Sequence, residues 1–127
     1  MACPAGAHTD YGTLTILRQD DGPGGLEVLA PDERWIPVPP QPDAFVVNLG
    51  DSLARWTNDQ WRSTLHRVVV PAGDDGRTAR QSMAYFHNAN WDAVIECLPT
   101  CHGPGNPPRY PPVTAGRHLM DKFRATQ

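Results

Sequence analysis

Asp43-Ala44-Phe45-Val46-Val47-Asn48-Leu49, closed by Gly50-Asp51, is the stretch on which the fold turns. Its β-branched and aromatic residues read as a strand, and the Gly-Asp pair ends it. The segments on either side repeat that pattern. Upstream, Thr13-Leu14-Thr15-Ile16-Leu17 alternates Thr with apolar residues at period two, which predicts a strand with one buried face. The dense turn signal Asp20-Asp21-Gly22-Pro23-Gly24-Gly25 separates it from Leu26-Glu27-Val28-Leu29, and the two strands together predict a hairpin. Trp35-Ile36-Pro37-Val38 follows the turn Pro31-Asp32-Glu33-Arg34, and its prolines suit an edge strand.

Downstream, Leu65-His66-Arg67-Val68-Val69-Val70 and Gln81-Ser82-Met83-Ala84-Tyr85-Phe86 predict two more strands, and Val94-Ile95-Glu96-Cys97 a last one. Ser52 to Asn58 fits a helical turn or a loop equally. From Cys101 to Val113 the density of Pro and Gly excludes regular structure, and Thr114 stands where it can cap a short helix over Ala115 to Phe123. Fourteen prolines and eleven glycines, spread between short apolar segments, argue against a helical bundle. They predict an all-β sandwich or barrel.

A chain of 127 residues, 39% hydrophobic and 20% charged, is sized for one globular domain. Its net charge of -3 and scattered Lys and Arg predict no nucleic-acid and no membrane partner. The apolar runs fall well short of the roughly 20 residues that span a bilayer. The first residues lack the basic and apolar regions of a secretory signal, so a cytoplasmic location is the default expectation. Three cysteines are too few for a disulfide framework, which agrees with a reducing compartment.

His8-Thr9-Asp10 is a His-x-Asp pair, and in an extended segment residues two apart project from one face. With this His and Asp content chance supplies roughly 0.4 such pairs, so alone it reads as well as a hydrogen-bonded surface pair. His66 heads an apolar strand and by parity shares a face with Val68 and Val70, which turns it inward. A lone inward His is more often a satisfied core residue than a ligand. Two His and one carboxylate, however, make the facial triad, which leaves three adjacent positions open on Fe(II). Arg80-Gln81-Ser82 sets a guanidinium fork and a hydroxyl two apart at the entry to a strand. A solvent-facing Arg is the ordinary reading of such a pair. An inward Arg needs an anion, and a dicarboxylate chelating the metal at its other end supplies one.

In order along the chain stand His8-Thr9-Asp10-Tyr11-Gly12-Thr13-Leu14-Thr15, Gly25-Leu26-Glu27-Val28, Asn48-Leu49-Gly50-Asp51, Arg55-Trp56-Thr57-Asn58, Arg62-Ser63-Thr64-Leu65-His66-Arg67-Val68 and Arg80-Gln81-Ser82. From about His8 to about His118 the chain resembles the C-terminal catalytic part of the isopenicillin N synthase-like Fe(II)/2-oxoglutarate dioxygenases. The resemblance implies a double-stranded β-helix, or jelly roll, with a short C-terminal helix. It implies Fe(II) on His8, Asp10 and His66, and the far carboxylate of the co-substrate 2-oxoglutarate on Arg80 and Ser82. With O2 as the other co-substrate, it implies hydroxylation, desaturation or ring closure of a small organic substrate, with Phe86 and Leu14 as candidates for an apolar wall. Two departures stand out. The loop between His66 and Arg80 is longer than is common in the family, and Arg77 competes with Arg80, though only Arg80 has Ser two residues on. Only seven residues precede His8, so the chain reads as a partial member lacking the first jelly-roll strands, with sheet edges left open to self-association.

Rival readings are a non-catalytic metal-binding module and an oxidase with the same triad but no 2-oxoglutarate. Cys97, Cys101 and His102 offer three zinc ligands where a closed site needs four. Gly22-Pro23-Gly24-Gly25 lacks the Lys-Ser/Thr of a phosphate loop. No Gly-x-Ser-x-Gly elbow is present. Trp35, Trp56, Trp61 and Trp91 read as core or pocket-wall residues.

Overall fold

The computed structural model describes residues 5–74 and 79–127. The elements in chain order are β1 (Ala5–His8), β2 (Leu14–Gln19), β3 (Leu26–Leu29), β4 (Trp35–Pro37), β5 (Val46–Leu49), α1 (Asp51–Trp56), β6 (His66–Val68), β7 (Ser82–His87), β8 (Val94–Ile95), a 3-10 turn (Pro99–Cys101), β9 (Val113–Thr114) and α2 (Ala115–Ala125). Among the described residues, one sheet has the order β1-β6-β3-β4, a second β5-β2-β7, and β8 pairs with β9. No described helix is long and apolar enough to cross a membrane. Contacts gather into two compact units. One is drawn from Met1–Thr9, Ile16–Val47 and Thr64–Tyr85, the other from Asp10–Thr15, Asn48–Ser63 and Phe86–Gln127.

The first unit holds the four-stranded sheet, all of whose pairings are antiparallel. The hairpin expected of the first two sequence strands does not form: β2 pairs with β5 and β7, whereas β3 pairs with β4 and β6. The physical reason lies in the turn. Asp20 Oδ1 accepts from the Gly22 amide (3.1 Å), while the Asp20 amide donates to the Gln81 carbonyl (3.0 Å), which ties the end of β2 to the start of β7. Gly24 and Gly25 then take φ of 79° and 113°, and the Gly25 carbonyl accepts from the Val69 amide at 2.9 Å. A Cβ at Gly25 would strike the Val69 carbonyl, so only glycine allows this approach. The hairpin that does form joins β3 to β4 across Ala30–Arg34, with Glu33 at φ 65°. β4 is an edge strand, as its prolines predict. Across β3 and β6, Glu27 faces Arg67 in register. The Arg67 Nε donates to Glu27 Oε2 at 2.7 Å while its guanidinium lies 4.0 Å from the Trp35 ring.

The second unit is organised by polar side chains holding backbone. The segment left open between helix and loop is helical over Asp51–Trp56: Gly50 stands at the N-cap of α1 and its amide donates to Thr13 O (2.8 Å), while the Asp51 and Ser52 amides donate to Asp10 O and Gly12 O. Asn58 is 2% exposed and at φ 54°. Its Nδ2 donates to the Cys101 and Pro107 carbonyls and its Oδ1 accepts from the Arg109 amide, so one amide pins the Pro-rich loop. Asn suits this place because it tolerates left-handed backbone and carries both donor and acceptor. The C-terminal helix runs over Ala115–Ala125 with Thr114 as its cap, accepting from the Arg117 amide at 3.3 Å. Gly116 packs on the Trp91 ring face. The tryptophans depart from the expected core role in part: Trp35 and Trp56 are half-buried, but Trp61 and Trp91 are exposed.

Candidate metal centre

β1 ends at His8 and β6 begins at His66, and the antiparallel register sets the two opposite each other. Their rings stand 4.4 Å apart between centroids, at 61°. His8 Nδ1 lies 2.7 Å from the Gly6 carbonyl and His66 Nδ1 lies 3.0 Å from the Thr64 carbonyl. A carbonyl oxygen only accepts, so each Nδ1 is a donor, which makes Nε2 the ring nitrogen suited to ligate a metal. Both rings are thereby held in the tautomer a divalent ion requires.

Asp10 is buried at 9% exposure. Its Oδ2 accepts from Thr15 Oγ1 at 2.5 Å and from Asn48 Nδ2 at 2.8 Å. Two donors on one oxygen orient the carboxylate. One ligand atom from each of His8, Asp10 and His66 lies within 4.8 Å of the other two. Two imidazole nitrogens and one hard oxygen fit Fe(II). Thr15 and Asn48 escape the sequence reading as parts of the site. The one local signal is Asn48, a polar residue inside an apolar strand that demands a partner.

The parity arguments hold only locally. β1 stops at His8, which is exposed while Asp10, beyond the end of the strand, is buried, so the two do not share a strand face. β6 spans only His66–Val68, and the valine buried there is Val69, not Val68 or Val70, which leaves His66 half-buried rather than in the core.

Arg80 sits just before β7. Its Nη2 donates to Gln19 Oε1 at 3.2 Å, and its Nε is buried without a hydrogen-bond partner. Arg80 and Ser82 line one groove of about 630 Å³ with Arg18, Gln19, Asp20 and Met83. An orphaned guanidinium N–H at the wall of a groove fits a carboxylate. Ser82 itself is exposed, as is the whole of β7. Phe86, a candidate apolar wall, is 59% exposed, and Leu14 is half-buried. The rival Arg77 lies outside the described residues.

Among the described residues His8, Asp10 and His66 form the one group of three able to hold a metal, so Cys97, Cys101 and His102 do not converge as a zinc site. Desolvation, then the neighbouring Cys101 and Glu96, push the Cys97 thiol up, which disfavours the thiolate that zinc would need. A separate hollow of about 720 Å³ in the second unit, lined by Arg55, Arg62, Arg109 and Lys122 among others, contains none of the three.

An antiparallel β framework presenting His-x-Asp and a distant His defines a non-haem metal protein. The model of the 2OG-Fe(II) oxygenase superfamily matches residues 3–89, and the chain belongs to that superfamily. It is 46% identical over 110 residues to the 2-oxoglutarate-Fe(II) type oxidoreductase hxnY of Emericella nidulans, covering 86% of this chain and 30% of that protein. It is 42% identical to the homoarginine-6-hydroxylase 2-ODD-233 of Oryza sativa subsp. japonica over 118 residues, 92% of this chain and 35% of the relative. The crystal structure of a full-length Neurospora crassa protein in complex with alpha-KG superposes with a TM-score of 0.90 at 40% identity, covering 98% of this chain and 38% of that one. The fold is therefore the jelly roll of these oxygenases, and the isopenicillin N synthase-like resemblance agrees with it. Iron, 2-oxoglutarate and O2 are the reactants this family works with. The chain spans about a third of the length of the curated relatives it matches.

Proposed function

We propose that this chain carries the iron centre of an Fe(II)- and 2-oxoglutarate-dependent oxygenase that oxidises a small organic molecule by hydroxylation, desaturation or cyclisation. His8, Asp10 and His66 are the metal ligands, and Arg80 with Ser82 receives the far carboxylate of 2-oxoglutarate. The observation that carries this reading is the convergence of two Nε2-presenting imidazoles and one oriented carboxylate. Bound there, the metal supplies O2 activation coupled to decarboxylation of the 2-oxo acid.

The chain's own residues do the rest. The Gly6 and Thr64 carbonyls hold the two ring protons at Nδ1. Thr15 and Asn48 hold the Asp10 carboxylate. Arg80 brings the positive charge of its guanidinium to the wall of the groove. The exposed apolar residues of β5 and β7 also favour association through open sheet edges, and a cytoplasmic setting suits the free thiols of Cys97 and Cys101.

The test is direct. The purified chain, incubated with Fe(II) and 2-oxoglutarate in air, is expected to release succinate, and replacement of His66 by Ala is expected to abolish both metal binding and turnover. Tight metal binding with no succinate formed would leave the non-catalytic metal-binding module as the correct reading. Metal-dependent O2 consumption that does not need 2-oxoglutarate would point to the oxidase instead.

A further inference from the structure

Gln19, the last residue of β2, is 3% exposed, an unusual place for a primary amide. Both of its polar ends are engaged. Its Oε1 accepts from Arg80 Nη2 at 3.2 Å and its Nε2 donates to the Val38 carbonyl at 3.3 Å. Arg has donors only and a carbonyl has lone pairs only, so a single orientation of the amide satisfies both. The next residue acts on the backbone of the same segment. Asp20 Oδ2 accepts from the Gln81 amide at 2.7 Å, and the Asp20 amide donates to the Gln81 carbonyl at 3.0 Å. Residue 81 is thus clamped between Arg80 and Ser82. These hydrogen bonds, first from Gln81 and then from Gly22, hold the Asp20 carboxyl below its ordinary range, with Arg80 adding to the effect.

We propose that Gln19 is the positioning residue that aims the Arg80 guanidinium, with Asp20 fixing the backbone beside it, so that the groove selects 2-oxo acids bearing a second carboxylate. The proposal rests on the function proposed above. A neutral acceptor is what the task requires. Gln19 engages one guanidinium nitrogen without cancelling its charge, which leaves the full positive charge of Arg80 at the groove for the ligand. A carboxylate in its place would make a buried ion pair and compete with the co-substrate.

The experiment compares equilibrium binding of 2-oxoglutarate and of pyruvate to the Fe(II)-loaded chain by anaerobic calorimetry. Pyruvate has the same metal-chelating end but no second carboxylate, so the ratio of the two affinities isolates the far-carboxylate contact. Gln19→Glu is expected to lower that ratio at least about tenfold by neutralising Arg80, with pyruvate binding unchanged. Gln19→Met, similar in shape but without hydrogen bonds, is expected to lower it by a smaller factor. A purely structural role would weaken both ligands alike. If Arg80→Ala destroys the preference while both Gln19 variants keep the wild-type ratio, the inference is wrong and the function proposed above stands. If the preference survives Arg80→Ala, the role given to Arg80 fails and Gln19's with it. A wild-type chain indifferent between the two ligands would overturn the proposed function itself.

Discussion

At the scale of single residues the candidate centre depends on neighbours that bind no metal. Asp10 has a buried carboxylate whose Oδ2 is tied to Thr15 and Asn48, and removing either donor loosens the orientation of the group. Asn48→Leu and Thr15→Val are each expected to weaken Mn(II) or Fe(II) binding on the order of 10- to 100-fold, measured by metal titration, without unfolding the chain. As candidate ligands His8, Asp10 and His66 were legible because a His-x-Asp pair and a later His make a donor set suited to a metal. Thr15, Asn48 and Gln19 were not, because an ordinary Thr, Asn or Gln acquires a role only from the atom it faces. His118 shows the same dependence on surroundings. It is 5% exposed, with Nδ1 3.3 Å from Ser52 Oγ. Burial above all, then Lys122 and Arg55, lowers its affinity for a proton below the ordinary value of 6.5. The folded state therefore binds fewer protons than the unfolded state just below that value. Stability is complete above about pH 6.5 and falls as the pH drops through it towards the folded-state value. Urea midpoints at about pH 7.5 and about pH 5.5 should show the loss, and His118→Gln should flatten it.

At the scale of elements the strands were readable and their partners were not. β3 lies over Leu26–Leu29 as its pattern predicts, and α2 begins after Thr114 where the cap signal stands. The hairpin between β2 and β3 failed because Gly24 and Gly25 turn the chain towards Val69 and Asp20 bonds forward to Gln81, both contacts far away in sequence. Pairing of that kind leaves no local trace. Gly25→Ala is expected to destabilise the chain, since it combines a φ of 113° with a clash at the Val69 carbonyl. Asn58 holds the loop after the 3-10 turn through three backbone groups. Asn58→Ala, which removes all three hydrogen bonds from a side chain only 2% exposed, is expected to cost about 3 kcal/mol in urea unfolding.

At the scale of the whole molecule, one group of exposed apolar side chains among the described residues stands on the second sheet. Phe45 and Val47 on or beside β5, and Met83, Tyr85 and Phe86 on β7, are each more than half exposed, and these are the two outer strands of their sheet. Edge strands with such side chains are templates for association. Sedimentation is expected to show concentration-dependent self-association that Met83→Lys reduces, and a monomer at all concentrations would refute it.

What the sequence determined alone is the class: short alternating strands read as all-β, and the ordered His-x-Asp pair, later His and Arg-x-Ser carry the family resemblance that implies the jelly roll and its chemistry. These features are local and depend on residue type, so they survive without coordinates. Only the tertiary structure decided which strands pair, which donors hold Asp10 and that Gln19 faces Arg80. The side-chain hydrogen bonds among those join residues 5, 38 and 61 positions apart, and each is set by how the chain packs, not by what stands beside the residue.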